Sequence, residues 1–119
     1  MLFRSHHREL ELAATLRDVR AAIAQDVRTT YATAEAALRQ VVFLRDQLLP
    51  SAREAYRIST VSYRLGGLSA LEVLDARRQL QLAQSQYADA LAAANSTRSD
   101  LERAAGAALS TISAGANRE

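Results

Sequence analysis

The chain lacks cysteine and tryptophan and carries a single proline, two histidines and four glycines. The absence of cysteine excludes disulfides, thiolate metal sites and a lipid-anchored N-terminal cysteine from this sequence. The two histidines, His6 and His7, are adjacent, so on a helix they point about 100° apart and make a poor chelate. With no Cys–His or Ser–His pairing and no phosphate-binding loop, the sequence predicts no enzyme, no cofactor and no metal site.

Long apolar runs and strand patterns are also absent. No apolar stretch reaches the roughly 18 residues of a membrane span, and none alternates β-branched with polar residues as a half-buried strand does. The first eight residues, MLFRSHHR, lack an apolar signal-peptide core, so we expect a cytoplasmic location if the chain is expressed as written. The 15 basic and 13 acidic residues are interspersed, which is typical of a solvated helical surface and not of a nucleic-acid-binding face.

Alanine and leucine supply most of the apolar content, and the length of 119 residues suits one domain. This composition is typical of long helices. Few bulky side chains mean a thin core, so a two-helix arrangement is expected to need neighbours. We predict an all-α fold, a long antiparallel two-helix coiled-coil hairpin with helix A over about 8–65 and helix B over about 69–105.

The adjacent glycines predict the turn of this hairpin. Helix A is expected to end near Leu65, because Gly66 adopts the left-handed conformation that closes a helix. Ser69 and Glu72 have the spacing of a capping box at the start of helix B. Just outside this box, Leu68 and Val73 are placed as a hydrophobic staple.

Helix A carries two adjacent apolar stripes, which indicate two packing partners. Both stripes keep their phase across Pro50, so we predict one continuous helix that is kinked there. The first stripe contains Leu16, Ile23, Val27, Thr30, Ala34, Ala37, Val41, Leu44, Leu48, Ala55, Ile58 and Leu65. The second contains Leu38, Val42, Leu49, Ala52, Tyr56 and Tyr63.

Helix B has one nearly strict heptad seam and is expected to end at Gly106 as a C-cap. Residues 1–7 are predicted to be a frayed lead, and residues 107–119 a flexible or partly helical tail. The seam contains Val73, Ala76, Leu80, Ala83, Tyr87, Ala90, Ala94, Thr97, Leu101 and Ala104. A small polar strip lies away from it and either faces water or receives another helix: Ser85, Ala88, Ala92, Asn95 and Ser99.

The turn and its return helix carry a recognisable string. Residues 63–80, YRLGGLSALEVLDARRQL, combine a Y-x-x-G tip with a V-L-D-A-x-x-x-L run. Leu48-Leu49-Pro50 precedes them, and residues 101–106, LERAAG, follow. The chain resembles, over roughly residues 10–106, the second helical repeat of the TolC family of outer-membrane efflux proteins.

This resemblance implies a trimeric export channel in the outer membrane and periplasm. The family's hairpins form a tunnel through the periplasm, and their tips meet a periplasmic adaptor protein that links the channel to an inner-membrane pump. Because the chain has one repeat where the family has two, and no barrel strands, we expect a fragment, an excised helical domain or a truncated relative. The alternative is a soluble coiled-coil interaction protein unrelated to export.

The resemblance also assigns roles at the tip. Tyr63 matches an aperture contact of the best-known member, but Leu68 stands where that member has an arginine. Glu72 and Asp75 match acidic positions at the entrance and would form a ring of negative charge in a trimer; acids in a first helical turn are also favoured by the helix dipole alone. The residues expected to dock the adaptor, or else to serve only the bend, are Tyr63, Arg64, Leu65, Gly66, Leu68 and Ser69.

Overall fold

The computed structural model of the chain describes residues 2–117 and is entirely helical apart from the turn and the last residue. Helix α1 spans Leu2–Phe43, a π turn spans Leu44–Leu48, α2 spans Leu49–Arg64 and α3 spans Ala70–Ala116. No strand occurs within these described residues. The predicted fold class, an all-α helical hairpin, is confirmed.

The described part of the chain forms two compact units. The turn unit contains residues 34–97, and the terminal unit contains residues 2–33 together with 98–117. In the turn unit, Val41, Leu44 and Ala90 are buried against one another. Large side chains from one helix meet an alanine of the other, which lets the two backbones approach closely. Partly buried Leu48, Tyr87 and Ala94 pack around this cluster.

The seam predicted for helix B is confirmed along its whole length. Each of its ten positions is buried or half-buried, with Ala83, Ala90 and Ala104 exposed by less than a tenth. A single heptad phase suffices because α3 is regular from Ala70 to Ala116. The polar strip, by contrast, is exposed in this chain at Ser85, Ala88, Ala92, Asn95 and Ser99.

The stripes of helix A are used differently from the prediction. From Ile23 to the π turn the first stripe faces inward, with Val41 and Leu44 as its buried members, whereas Leu16 is exposed. Beyond the π turn the second stripe takes over, with Leu49 buried and Ala52 and Tyr56 half-buried. The continuation of the first stripe lies outside: Ala55, Ile58 and Leu65 are exposed. The interpretation of each stripe as one continuous face was therefore wrong.

The π turn explains this change of face. Its wider turn holds one more residue than an α-helical turn, so every following side chain is displaced by one position around the axis. The amide of Leu49 donates to the carbonyl oxygen of Leu44, five residues back. Phe43, Leu48 and Leu49 all keep right-handed helical dihedrals, so the helix is continuous, as predicted. The departure from α geometry ends at Leu48, two residues before Pro50, which has no amide hydrogen to donate.

The terminal unit has a thinner core. Ala104 is its one buried residue among those described, and Ile23 and Val27 of α1 are half-buried. A shallow apolar groove crosses the unit between Ile23 and Ile112. Gly115 lies beside the Arg20 guanidinium: a Cβ added to this glycine would be 3.3 Å from Nη2.

Both helices extend beyond their predicted ends. Helix α1 begins at Leu2 and not near residue 8, and α3 continues to Ala116. Gly106 lies inside α3 without a positive φ, so its assignment as a C-cap was wrong. The predicted frayed lead and flexible tail include Met1, Arg118 and Glu119, which lie outside the described residues.

Candidate functional site at the turn

The end of α2 is closed by backbone hydrogen bonds around Gly66. The amide of Gly66 donates to the carbonyl of Tyr63 at 3.0 Å, and the amide of Gly67 donates to the carbonyl of Ser62 at 2.8 Å. Gly66 has φ of 80°, a left-handed conformation in which a Cβ would be strained. These two bonds and the left-handed glycine define a Schellman motif, which confirms the predicted stop.

The start of α3 is a complete capping box. The Ser69 amide donates to Glu72 Oε2 at 2.8 Å, and the Glu72 amide donates to Ser69 Oγ at 3.3 Å. The Ser69 hydroxyl also donates to Glu72 Oε2 at 3.1 Å. Leu68 and Val73, the predicted staple residues, are both half-buried. With both helix ends capped, the segment between Leu65 and Ala70 is held by its own local bonds.

Apolar side chains project from this fixed turn. Leu65 is 82% exposed and Tyr63 is 50% exposed. Leu68, which is also among the residues expected to dock the adaptor, is half-buried. Arg64 and Ser69 are exposed beside them. Leu65 is therefore a large apolar side chain at a surface position where the fold of the hairpin does not require one.

Sequence reasoning missed two further leucines beside the turn. Leu71 is 76% exposed and Leu74 is 58% exposed, both in the first turns of α3. They occupy positions off the heptad seam, three residues apart, so they lie on one helix face. In the sequence, two leucines at this spacing outside the seam are the pattern from which an exposed apolar patch could have been predicted. Together with Glu72, Asp75 and Arg78 they line a shallow depression on the surface of α3.

The two acidic residues predicted at the entrance have different local environments. Both are exposed and share this depression. The Glu72 carboxylate is engaged in the capping box, which accounts for its position structurally. Asp75 lies beyond the box and performs no capping role. Helix capping therefore explains the presence of a carboxylate at Glu72, but no role within the hairpin explains the carboxylate at Asp75.

Ion pairs on the flanking helix segments favour the charged form of two more carboxylates. Arg57 holds Glu54 through two bonds of 2.9 and 2.6 Å, and Arg45 holds Asp46 through two bonds of 2.8 and 3.1 Å. The hydrogen bond from Arg57 lowers the pKa of Glu54, and that from Arg45 lowers the pKa of Asp46. Both carboxylates are solvent-exposed, so these pairs order the surface more than they stabilise the fold.

The long helices, the thin seam and the capped turn with exposed leucines define a class of protein, the long helical hairpin. The model of the outer membrane efflux protein family matches residues 4–107 of the chain. The chain therefore belongs to the outer membrane efflux protein family. Comparison with curated proteins and comparison with solved structures gave no match.

Membership of this family implies a component of an outer-membrane efflux channel. Proteins of this family are channel proteins and not enzymes, which agrees at the family level with the prediction from the sequence. None of the helices within residues 2–117 combines the length and the hydropathy that crossing a membrane requires.

Proposed function

We propose that this chain forms part of the tunnel wall of a trimeric outer-membrane efflux channel, and that its turn docks a periplasmic adaptor protein of a tripartite export system. The observation that carries the docking proposal is the exposure of Leu65 on a turn whose two ends are capped by local bonds. A rigid apolar projection loses little conformational entropy on binding, which is what a docking surface requires. Leu71 and Leu74 extend the apolar area next to it.

The exposed apolar positions on the helices support the tunnel-wall part of the proposal. Upstream of the π turn, Leu38 is 59% exposed and Phe43 48% exposed; downstream, Ile58 is 50% exposed. A wall in which each helix touches neighbours on both sides would cover these positions. An inner-membrane pump, reached through the adaptor, would supply the transported substrate to such a channel.

At the entrance, we propose that Glu72 and Asp75 of three protomers contribute a ring of negative charge that favours cations. Asp75 is the stronger member because Glu72 is committed to the capping box. Tyr63, half-exposed next to the turn, is the proposed aperture contact. Because Leu68 stands where the best-known relative has an arginine, a closed aperture here would rely on apolar contacts or on different polar pairs.

The alternative, a soluble coiled-coil interaction protein unrelated to export, is disfavoured by the family match over residues 4–107. The coding sequence around the hairpin distinguishes the two functions. An in-frame signal peptide and a first helical repeat upstream of Met1 would support the channel. A stop codon directly upstream, with a stable protein made from this start, would support the alternative.

Replacing Leu65 with alanine tests docking without disturbing the caps, since its side chain is 82% exposed. In a full-length channel that carries this hairpin, Leu65→Ala should reduce resistance to exported compounds at unchanged protein level. Leu109→Ala is the matched control, because Leu109 is a comparably exposed leucine, at 67%, in the terminal unit.

The control variant should retain resistance. Unchanged resistance in the Leu65 variant, at normal channel abundance, would count against docking through this residue. An equal loss in both variants would indicate a general requirement for surface leucines in assembly, and would remove the argument for a docking role at the turn.

A further inference from the structure

Two apolar stripes, one residue apart along the sequence, are each spaced to form the inward face of α2. In the structure the Leu49 stripe, with Ala52 and Tyr56, faces α3. The other stripe continues the inward face of α1 and includes Ala55 and Ile58, which are exposed. Either set satisfies the heptad spacing of an apolar seam. The apolar spacing in α2 is therefore compatible with two packing registers, and the structure uses one of them.

The π turn determines which register is used. With the π turn present, one extra residue is accommodated and the Leu49 stripe faces inward. Without it, an unbroken α-helix would carry the inward face from Val41 and Leu44 through Leu48 to Ala55. The difference between the registers is a rotation of α2 by about 100°, the angle per residue of an α-helix.

Pro50 biases the choice toward the π turn. In a regular α-helix a proline ring clashes with the carbonyl four residues back, here that of Asp46, and the proline cannot donate a hydrogen bond to it. A wider turn immediately upstream is one of the ways in which helices relieve this conflict. The π turn ends at Leu48, two residues before this proline.

We propose that the π turn is a register switch for α2. Loss of the π turn rotates α2 and exchanges the inward face containing Ala52 for the one containing Ala55 and Ile58. The exchange also changes the face that α2 presents to other helices, because Tyr56 moves outward as Ile58 moves inward. This proposal concerns only the hairpin and holds whether or not the turn docks an adaptor.

The reactivity of an introduced cysteine measures the register directly, because the sequence contains no cysteine of its own. Ala52→Cys places a thiol at a half-buried position and Ala55→Cys places one at an exposed position. In the parent chain Ala55→Cys should react with maleimide severalfold faster than Ala52→Cys. Adding Pro50→Ala should slow the reaction at position 55 severalfold and accelerate it at position 52.

Positions upstream of the π turn provide the matched control. Ala37→Cys is half-buried and Ala36→Cys is exposed, like the downstream pair. Their rates should not change with Pro50→Ala, because α1 keeps its register in both states. A change at all four positions would indicate general loosening and would overturn the switch.

Deleting Gln47 locks the register. Gln47 is an exposed residue of the π turn, and its removal lets a plain α-helix carry Leu49, Ala52 and Tyr56 inward. In this background Pro50→Ala should no longer alter the rates at positions 52 and 55. The proposal is overturned if Pro50→Ala leaves both rates unchanged in the undeleted chain. It is also overturned if Pro50→Ala abolishes the helical circular dichroism signal, because a switch requires a second packed register.

Discussion

The turn unit and the terminal unit are built from the same pair of antiparallel helices, yet they bury very different side chains. Among residues 2–117 six are buried, and of these only Ala104 lies in the terminal unit; the turn unit holds Val41, Leu44, Leu49, Ala83 and Ala90. In the turn unit, leucine and valine meet alanines across the seam. Helix pairing alone therefore does not create a core, because large side chains must also face small ones.

The terminal unit also carries apolar surface that the hairpin leaves uncovered. In the terminal unit, Leu12 is 64% exposed and Leu16 is 55% exposed, although both belong to α1, which also carries buried Val41. Two helices cannot enclose these leucines. We expect the terminal unit to depend on neighbouring helices more strongly than the turn unit does.

The largest expected effect is a difference in stability loss: truncating a buried leucine of the turn unit should destabilise the chain far more than truncating an exposed leucine of the terminal unit. Leu44→Ala removes a side chain that is 3% exposed and should lower the free energy of unfolding by about 2–4 kcal/mol. Leu16→Ala, in α1, should change it by less than about 0.5 kcal/mol, because this side chain is 55% exposed. Urea unfolding followed by circular dichroism measures both. Equal losses would contradict the difference between the units.

A glycine-to-alanine change in each unit should have opposite signs. Gly66→Ala forces a Cβ into the left-handed region and should cost about 1–2 kcal/mol. Gly106→Ala lies within α3, where an added Cβ meets nothing within 4 Å, and should stabilise the helix by about 0.5–1 kcal/mol. Thermal unfolding of the two variants gives the comparison.

The left-handed glycine has its own control within the turn. Gly67 has no positive φ, and an added Cβ would lie 3.5 Å from the Ser62 carbonyl oxygen, an ordinary contact. Gly67→Ala should therefore be tolerated better than Gly66→Ala. If the two substitutions lower the unfolding midpoint equally, the Schellman conformation is not what closes α2.

The smallest expected effect is a dependence on pH in the turn unit. Arg45 lowers the pKa of Asp46 through their hydrogen bond. A folded-state pKa below the unfolded one contributes stability above the unfolded pKa, and this stability is lost as pH falls through the folded pKa. Asp46→Asn should therefore lower the melting temperature slightly at neutral pH, and the difference from the parent chain should vanish in acid.

Melting curves of the parent chain and of Asp46→Asn, recorded from neutral pH into the acidic range, test this sign. The pair is exposed at the surface, so added salt should shrink the difference at neutral pH. A difference that grows as the pH falls would mean that Asp46 acts through something other than its bond with Arg45.

Local features of the sequence predicted the turn closely. The Schellman stop at Gly66 and the capping box of Ser69 and Glu72 each depend on a few consecutive residues, so their residue types were sufficient. The α3 seam was predictable for a similar reason, since one heptad phase runs through it uninterrupted. The end of helix B was predicted wrongly at Gly106, because a lone glycine is also tolerated inside a helix that packs well elsewhere.

The change of face at the π turn could not be predicted from periodicity. Both stripes of helix A continue through Pro50 in the sequence, and each alone is compatible with a regular helix. Which stripe faces inward depends on the packing against α3, where Leu49 and not Ala55 is inward. Heptad periodicity identifies only the seam positions, so it did not identify the exposed leucines beside the turn, Leu71 and Leu74.

The central functional claim is that the capped turn contacts the adaptor through Leu65, and site-specific photo-crosslinking tests it most directly. A photoreactive amino acid would replace Leu65 in a full-length channel carrying this hairpin, with the same replacement at Leu109 as the control. The proposed function predicts a crosslink to the periplasmic adaptor from position 65 and none from position 109. Absence of an adaptor crosslink from position 65 in a normally assembled channel, or equal crosslinks from both positions, would contradict it.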